Sequence, residues 1–432
     1  MKRIPWIDGL RGIADLIIAF NHFFNVDIPT PFRTFWDSPP SANRRLIQLP
    51  PFRIPFMMDP MVPLFMVISG YSISYTLLQT RNNNPDQFAA RLRSSICRRP
   101  FRLFLPMFIF AIPSHLLFYF DLYSSNPGFP ENITTRIHPG VRPWDHLCYM
   151  LGYFADQLSP LQLQWNGGLN GQLWTMPLEF RGSLVVYGLI YVQASWRRSA
   201  RFYALGVFLA LVLWFGHWDI VSFVAGLGLA ELYLEDESNP SSPRSSPWTT
   251  LSYILRITAT LYLFCLSSET EYPPGYRFLH TFHTLHWGRY GGWTEVRKIW
   301  HAIGAVLFFS VVLQSPQLQR GLSTRVAQGL GRLSFAVYLV HLLIYRVWRA
   351  PLVGGFWRLW AKTEYPGAEK AAAASLGWFL TAYALAGLVL GVVVMVMAEG
   401  WVRVVEPWCV WIAKGVERRL EDADADSKER FE

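Results

Sequence analysis

Four ionisable side chains interrupt the first apolar stretch of the chain: Asp8, Arg11, Asp15 and His22, all within residues 8–26. On a helix at about 100° per residue, with Asp8 as zero, Arg11 falls near −60°, Asp15 near −20° and His22 near −40°. The four therefore share about one sixth of a turn. Such a stripe must face protein or a watery cavity, because an ionisable group inside a membrane helix costs roughly 2.5–3.5 kcal/mol. Arg11 and His22 stand roughly 16 Å apart along the axis, a separation suited to the two ends of one extended ligand. A guanidinium fork binds phosphate, and an imidazole is the side chain best able to take a proton near neutral pH. Plainer readings stay open at this point. Asp8 and Arg11 are three apart and could satisfy each other locally, and His22 could be a packing residue.

Other segments add groups of the same kind. Ser69 and Gly70 put a small pair inside the apolar run 57–78, where it allows close backbone approach or a bend. Arg98, Arg99 and Arg102 flank Pro100 at the mouth of the next run, either as phosphate ligands or as an interfacial anchor. Trp174 to Arg181 places Glu179 and Arg181 in an apolar segment opened by Pro177. Glu179 could orient His22 or a substrate hydroxyl, or simply pair with Arg181. His341 lies in the late run 331–348.

The elements that must carry these residues follow from composition. Hydrophobic residues make up 52% of the 432 and charged residues only 16%, against roughly 25% charged in an average globular domain. The deficit is filled by 19 Trp, 19 Tyr and 31 Phe, which suit bilayer interfaces. A soluble enzyme, a disordered chain, a collagen-like repeat and a disulfide scaffold are excluded. Apolar stretches at 8–26, 57–78, 103–122, 173–193, 202–216, 218–234, 250–267, 299–313, 331–348 and 375–402 predict an all-α, polytopic membrane protein with about ten transmembrane helices. No internal repeat is visible, which disfavours transporter folds built from inverted repeats.

The formal charge of +9 is not a nucleic-acid signature, because the aromatics lie inside apolar runs and not between lysines. It fits the positive-inside bias. With the N-terminus in the cytoplasm, the arginines at 81, 91, 93, 98, 99 and 102, the turn at Arg197, Arg198 and Arg201, and the C-terminal tail all fall on the inner side. An even number of spans brings both termini there. The sequon Asn132-Ile133-Thr134 and the long segments 124–172 and 268–298 then lie outside. Residues 235–248, rich in Ser and Pro, read as an inner linker, and Glu417–Glu432 as a solvated helix end and loose terminus. One membrane domain is expected over 1–404, with a charged cytoplasmic tail at 405–432. Cys97, Cys148, Cys265 and Cys409 are far apart and read as reduced thiols.

Taken in order, Ile7-Asp8-Gly9-Leu10-Arg11-Gly12-Ile13-Ala14 with His22, Phe65 to Gly70, Arg98-Arg99 with Arg102, Leu173 to Glu179, Gly331-Arg332-Leu333-Ser334 and Tyr338-Leu339-Val340-His341 resemble the membrane acyltransferase-3 family over residues 7–400. Each motif alone is weak; the ordered set is specific. The wording around Glu179, followed by Phe180-Arg181-Gly182-Ser183, is most similar to fungal members. Two positions depart from the pattern. Asp15 stands where alanine is usual, and Asn21 where many members have a second histidine, which leaves His22 as the candidate base.

The resemblance implies acyl transfer from a coenzyme A thioester, usually acetyl-CoA, to a hydroxyl. It implies no tightly bound cofactor, with acyl-CoA as co-substrate. The inner arginines would hold the nucleotide phosphates, with the pantetheine arm along the first helix. His22 would take the acceptor's proton, or form a transient acyl-imidazole. Ser69 would contact the reacting carbonyl and His341 would pack or orient the acceptor, while Asp15, a departure from the family pattern, would tune His22 or reach another acceptor. For a standalone fungal member it implies a small, fairly apolar alcohol such as a terpenoid or polyketide, with a glycan or lipid hydroxyl next, in the endoplasmic reticulum or plasma membrane. Two rivals remain. A metal centre at His280, His283 and His286 is disfavoured because steps of three drift about 60° each on a helix. A non-enzymatic transporter would give His22 no special role. The glycine run Gly167 to Gly171 lacks the strand and helix of a nucleotide loop and reads as a turn.

Overall fold

The computed structural model describes residues 4–123, 142–160, 168–238, 247–289 and 291–429. The sequon at Asn132, Gly167, most of the expected linker at 235–248 and the last three residues of the tail lie outside the described residues. Among those described there are thirteen α-helices and no strand. They are α1 (Pro5–Phe24), α2 (Met61–Asn83), α3 (Pro85–Tyr119), α4 (Pro143–Leu158), α5 (Met176–Val192), α6 (Arg198–Trp214), α7 (Trp218–Ser238), α8 (Pro247–Phe264), α9 (Gly292–Gln314), α10 (Pro316–Leu322), α11 (Arg325–Ala361), α12 (Ala368–Ala374) and α13 (Leu376–Glu429).

Each of the ten apolar stretches coincides with a helix. Five of these, α2, α3, α9, α11 and α13, are long and apolar enough to cross a bilayer by length and composition. The other five fall short for identifiable reasons. Helices α5 and α6 have 17 residues each, and α8 is a short apolar helix over its described part. Helix α1 carries Asp8, Arg11 and Asp15, while α7 carries Asp219, Glu231 and a run of acids at its end. The expected boundary at residue 404 does not coincide with a helix end, because α13 runs through it with Pro407 inside.

The helices form two compact units. The first comprises residues 1–21, 28–92 and 181–332. Its core is α2 against α7, with α9 packed on α2, α7 and α8, and α6 on α7. The α2–α7 crossing is a backbone contact: a Cβ on Gly70 would meet Phe223 O at 2.2 Å, and one on Gly226 would meet Val67 O at 2.4 Å. Small residues allow this approach where lipid gives helices no hydrophobic reason to associate. Helix α1 meets the start of α11 in the same way. A Cβ on Gly331 would sit 2.0 Å from Asp8 O, and one on Gly12 would sit 2.4 Å from Gly331 N. The glycines of two motifs far apart in sequence therefore meet.

The second unit comprises residues 22–27, 93–180 and 333–432. The end of α1 is clamped there by aromatic rings. Phe23 lies edge-on to Tyr345 of α11 at 5.2 Å and to Tyr383 of α13 at 6.2 Å, and Arg349 donates to Phe23 O at 3.3 Å.

Candidate functional site

His22 is half-buried and His341 completely buried. His22 Nδ1 lies 2.8 Å from His341 Nε2, with the rings stacked at an interplanar angle of 18°. His341 Nδ1 lies 2.8 Å from the carbonyl oxygen of Val337, one turn back on α11. A carbonyl can only accept, so His341 Nδ1 carries the hydrogen. In a neutral imidazole the other nitrogen, Nε2, then bears a lone pair and accepts from His22 Nδ1–H. His22 in turn presents a lone pair at Nε2. The chain Val337 O, His341, His22 thus sets the tautomer that a proton acceptor needs, as a buried partner orients a catalytic imidazole elsewhere.

A second set of bonds fixes this stretch of α11. The short 3-10 turn Gly171–Thr175 precedes α5. Within it Gln172 Nε2 donates to Leu339 O at 3.0 Å, and Thr175 Oγ1 lies 2.7 Å from Tyr338 Oη. Tyr338 also donates to Gln172 O. Just before the turn, Asn170 accepts from Ser114 at 2.9 Å, and Ser114 shares a 2.6 Å bond with Tyr123. Residues 168–170 of the glycine run thus lie in a turn tied to Ser114 of α3, and the 3-10 turn that follows docks on the histidine helix. Gly168, at φ +56°, would drive a Cβ into the Tyr153 ring at 2.8 Å.

Glu179 accepts from Arg99 at 3.0 Å, with both side chains only 15% exposed. Arg181 donates through Nε and Nη2 to Asp219 Oδ2 of α7, at 2.9 and 2.6 Å. Glu179 and Arg181 thus each have a partner other than the neighbour that the sequence suggested. Arg98 meets Glu417 at 3.5 Å, which attaches the start of the supposedly loose tail. Arg102, on the same face of α3 as Arg98, is exposed.

The remaining candidates lie in the first unit. Arg11 Nη2 is 3.4 Å from Ser72 Oγ. Asp15 is 2% exposed, and its Oδ1 has no hydrogen-bond partner among the described residues. Ser69 is buried in α2 beside the Gly70 crossing. Asn21 donates to Ile17 O at 2.7 Å and to Pro55 O at 3.0 Å, so it ties α1 to the segment before α2. The second imidazole beside His22 comes from His341 and not from position 21.

Sequence reasoning missed Val337, Tyr338 and Gln172 as supports, although Val337 precedes His341 by one turn and could have been found from that spacing. It also missed Asp219 and Glu231 as partners of arginines. Arg81 and Glu231 form a two-pronged pair at 2.9 and 3.0 Å, each side chain 7% exposed. Among the described residues no group of three or more His, Cys, Asp or Glu is placed to hold a metal ion. His280 and His283 pack on Tyr272, and His286 packs on Phe215.

A family model described as an acyltransferase domain matches residues 4–400. O-acetyltransferase PaAT-1 of Phomopsis amygdali is 28% identical over 370 residues, which cover 78% of this chain and 71% of that protein. Acyltransferase clz18 of Cochliobolus lunatus is 26% identical over 389 residues, covering 78% and 81%. No solved structure matches the chain.

Proposed function

The chain belongs to the acyltransferase-3 family, and we propose that it is a membrane O-acyltransferase moving an acyl group, acetyl first among them, from coenzyme A to a hydroxyl of a small acceptor. The observation that carries this reading is the relay Val337 O, His341, His22. It leaves His22 Nε2 in the form that a general base requires.

In the proposed reaction His22 Nε2 takes the proton of the acceptor hydroxyl as its oxygen attacks the thioester carbonyl carbon. The tetrahedral centre collapses with cleavage of the C–S bond, and the imidazolium returns the proton to the departing thiolate. Products are the ester and free coenzyme A. The transient imidazolium is stabilised by donation from Nδ1–H to His341 Nε2. His341, fully buried, is a positioning residue. Arg102 and Arg98 are assigned to the phosphates of the donor. Glu179, held by Arg99, and Arg181, held by Asp219, are assigned to keeping α5 in place, because their charges are already matched inside the fold. Arg11 and Ser69 keep the substrate contacts that the family resemblance implies.

The printed name of PaAT-1 supports an acetyl group and an oxygen acceptor. A small, fairly apolar fungal metabolite is the proposed acceptor class, and an endomembrane or plasma membrane with cytoplasmic termini the proposed setting. Mass spectrometry of metabolites from cells with and without the gene tests the reading. A pair of compounds differing by one acetyl group should appear only with the gene. Identical profiles in a host that makes the acceptor would contradict it.

A further inference from the structure

Helix α11 meets the end of α1 at positions 341, 345 and 349, which are four residues apart and therefore lie one above the other on one face of a helix. His341 meets His22 at 2.8 Å. The Tyr345 ring lies against the His341 ring at 5.8 Å and against the Phe23 ring at 5.2 Å. Arg349, only 5% exposed, reaches the backbone itself. Its Nη1 donates to Phe23 O at 3.3 Å, and its Nη2 stands 3.8 Å from Asp27 Oδ2. All of these contacts lie within the second unit.

Phe23 is the next-to-last residue of α1, so its carbonyl is one of the four at a helix end that have no partner inside the helix. A cation there also meets the negative pole of the helix dipole. The Arg349 guanidinium supplies both the donor and the charge, and the Asp27 carboxylate just past the helix matches that charge. Asp27 is itself tied back to the helix, its N–H donating to Phe24 O at 3.3 Å. Arg349 thus closes the last turn of α1 from outside. His22 sits in that turn, next to Phe23. Its bond to His341 joins two helices, so any slip or unwinding of the turn lengthens or bends it. Hydrogen bonds weaken steeply when their geometry degrades.

We propose, resting on the acyltransferase reading, that Arg349 is a positioning residue for the reaction: it caps α1 so that His22 stays in register with His341 and presents Nε2 to the acceptor hydroxyl. Arg349 acts through the Phe23 carbonyl and not on the substrate. The Tyr345 ring holds the Phe23 side chain, whereas the guanidinium holds its backbone, so ring packing alone does not keep the turn wound.

The test is transfer of labelled acetyl groups from acetyl-CoA, in membranes holding equal amounts of folded full-length protein and supplied with one cell extract containing the acceptor, read as the maximal rate and the KM for acetyl-CoA. A misplacement of about 1 Å can cost about 10²-fold in rate, and Arg349→Met should lower the maximal rate by about that factor with the KM little changed. Arg349→Met combined with Asp27→Asn removes both charges, so that no carboxylate is stranded, and should lose as much. Arg349→Lys keeps a cationic donor and should recover part of the rate. Where His341 is already alanine, Arg349→Met should cost roughly threefold or less, because the pair that it aligns is gone. Arg358→Gln, at a side chain 63% exposed on the same helix, should leave the rate unchanged. The proposal is overturned by a raised KM at unchanged maximal rate, by recovery in the Asp27→Asn double variant, or by a lysine variant no better than the methionine one. An equal loss with and without His341 would also overturn it, by showing a merely structural role. No transfer by the unsubstituted protein sinks the acyltransferase reading together with this one, whereas transfer that survives Arg349→Met in full sinks this one alone.

Discussion

His341 Nε2 accepts from His22 Nδ1–H at 2.8 Å, and His341 is itself held by the carbonyl of Val337. The consequence is chemical. A histidine otherwise free to adopt either tautomer is held in the one whose Nε2 can accept a proton.

Replacing His341 should therefore lower turnover without much change in the KM for the acyl donor. For His341→Ala the expected loss in kcat is large, up to about 10⁴-fold as when the residue that orients a catalytic imidazole is replaced. His341→Gln, whose carboxamide oxygen can still accept from His22 Nδ1–H, should recover part of it. Steady-state kinetics on membranes with matched protein content check this, and equal loss in Ala and Gln would point to packing alone.

The glycine contact between α1 and α11 makes a separate prediction. Gly331→Ala puts a methyl 2.0 Å from the Asp8 carbonyl oxygen, a backbone atom that cannot swing away. Overpacking of this kind costs about 1–3 kcal/mol or more. The variant should unfold at a clearly lower temperature, whereas Gly329→Ala, with nothing within 4 Å, should not.

Arg81 and Glu231 are both nearly inaccessible and meet through two bonds. Removing one partner, as in Glu231→Leu, leaves a buried charge and should cost about 3–5 kcal/mol. The double change Arg81→Met with Glu231→Leu should cost less than Glu231→Leu alone, the remaining loss coming from Arg201, which also meets Glu231 at 3.4 Å. Thermal or denaturant unfolding of the four proteins measures the coupling, and additive losses would show that the pair does not act as a unit.

Much of this was legible in the sequence, and the limits are physical. The ten apolar stretches all became helices, because hydrophobic runs of that length have few alternatives. Which of them are long and apolar enough to span was less legible, since α1 and α7 spend part of their length on charges. His22 and His341 stood out as imidazoles in apolar runs, but a contact between residues 319 apart in sequence cannot be read from helical spacing. For Glu179 and Arg181 the sequence suggested the near neighbour. The fold instead paired Glu179 with Arg99 and Arg181 with Asp219, because residues two apart on a helix point away from each other.

Asp59, just before α2, gives a pH prediction. Burial pushes its carboxyl pKa upward, but Arg297, His301, the Arg297 hydrogen bond and Arg53 outweigh this and hold it below the ordinary 3.8. A carboxylate lowered on folding contributes stability above its unfolded pKa and loses it as pH falls through the folded value. The unfolding midpoint should thus drop on acidification below the ordinary carboxylate range, and Asp59→Asn should flatten that part of the profile. An unchanged acid limb in Asp59→Asn would remove Asp59 from the account.

The most direct test of the central claim is transfer of labelled acetyl groups from acetyl-CoA to extractable products, in membranes holding equal amounts of folded unsubstituted or His22→Ala protein and supplied with an extract containing the acceptor. The account predicts labelled ester with the unsubstituted protein and a loss of roughly 10²–10⁴-fold in His22→Ala. Undiminished labelling in His22→Ala would contradict it.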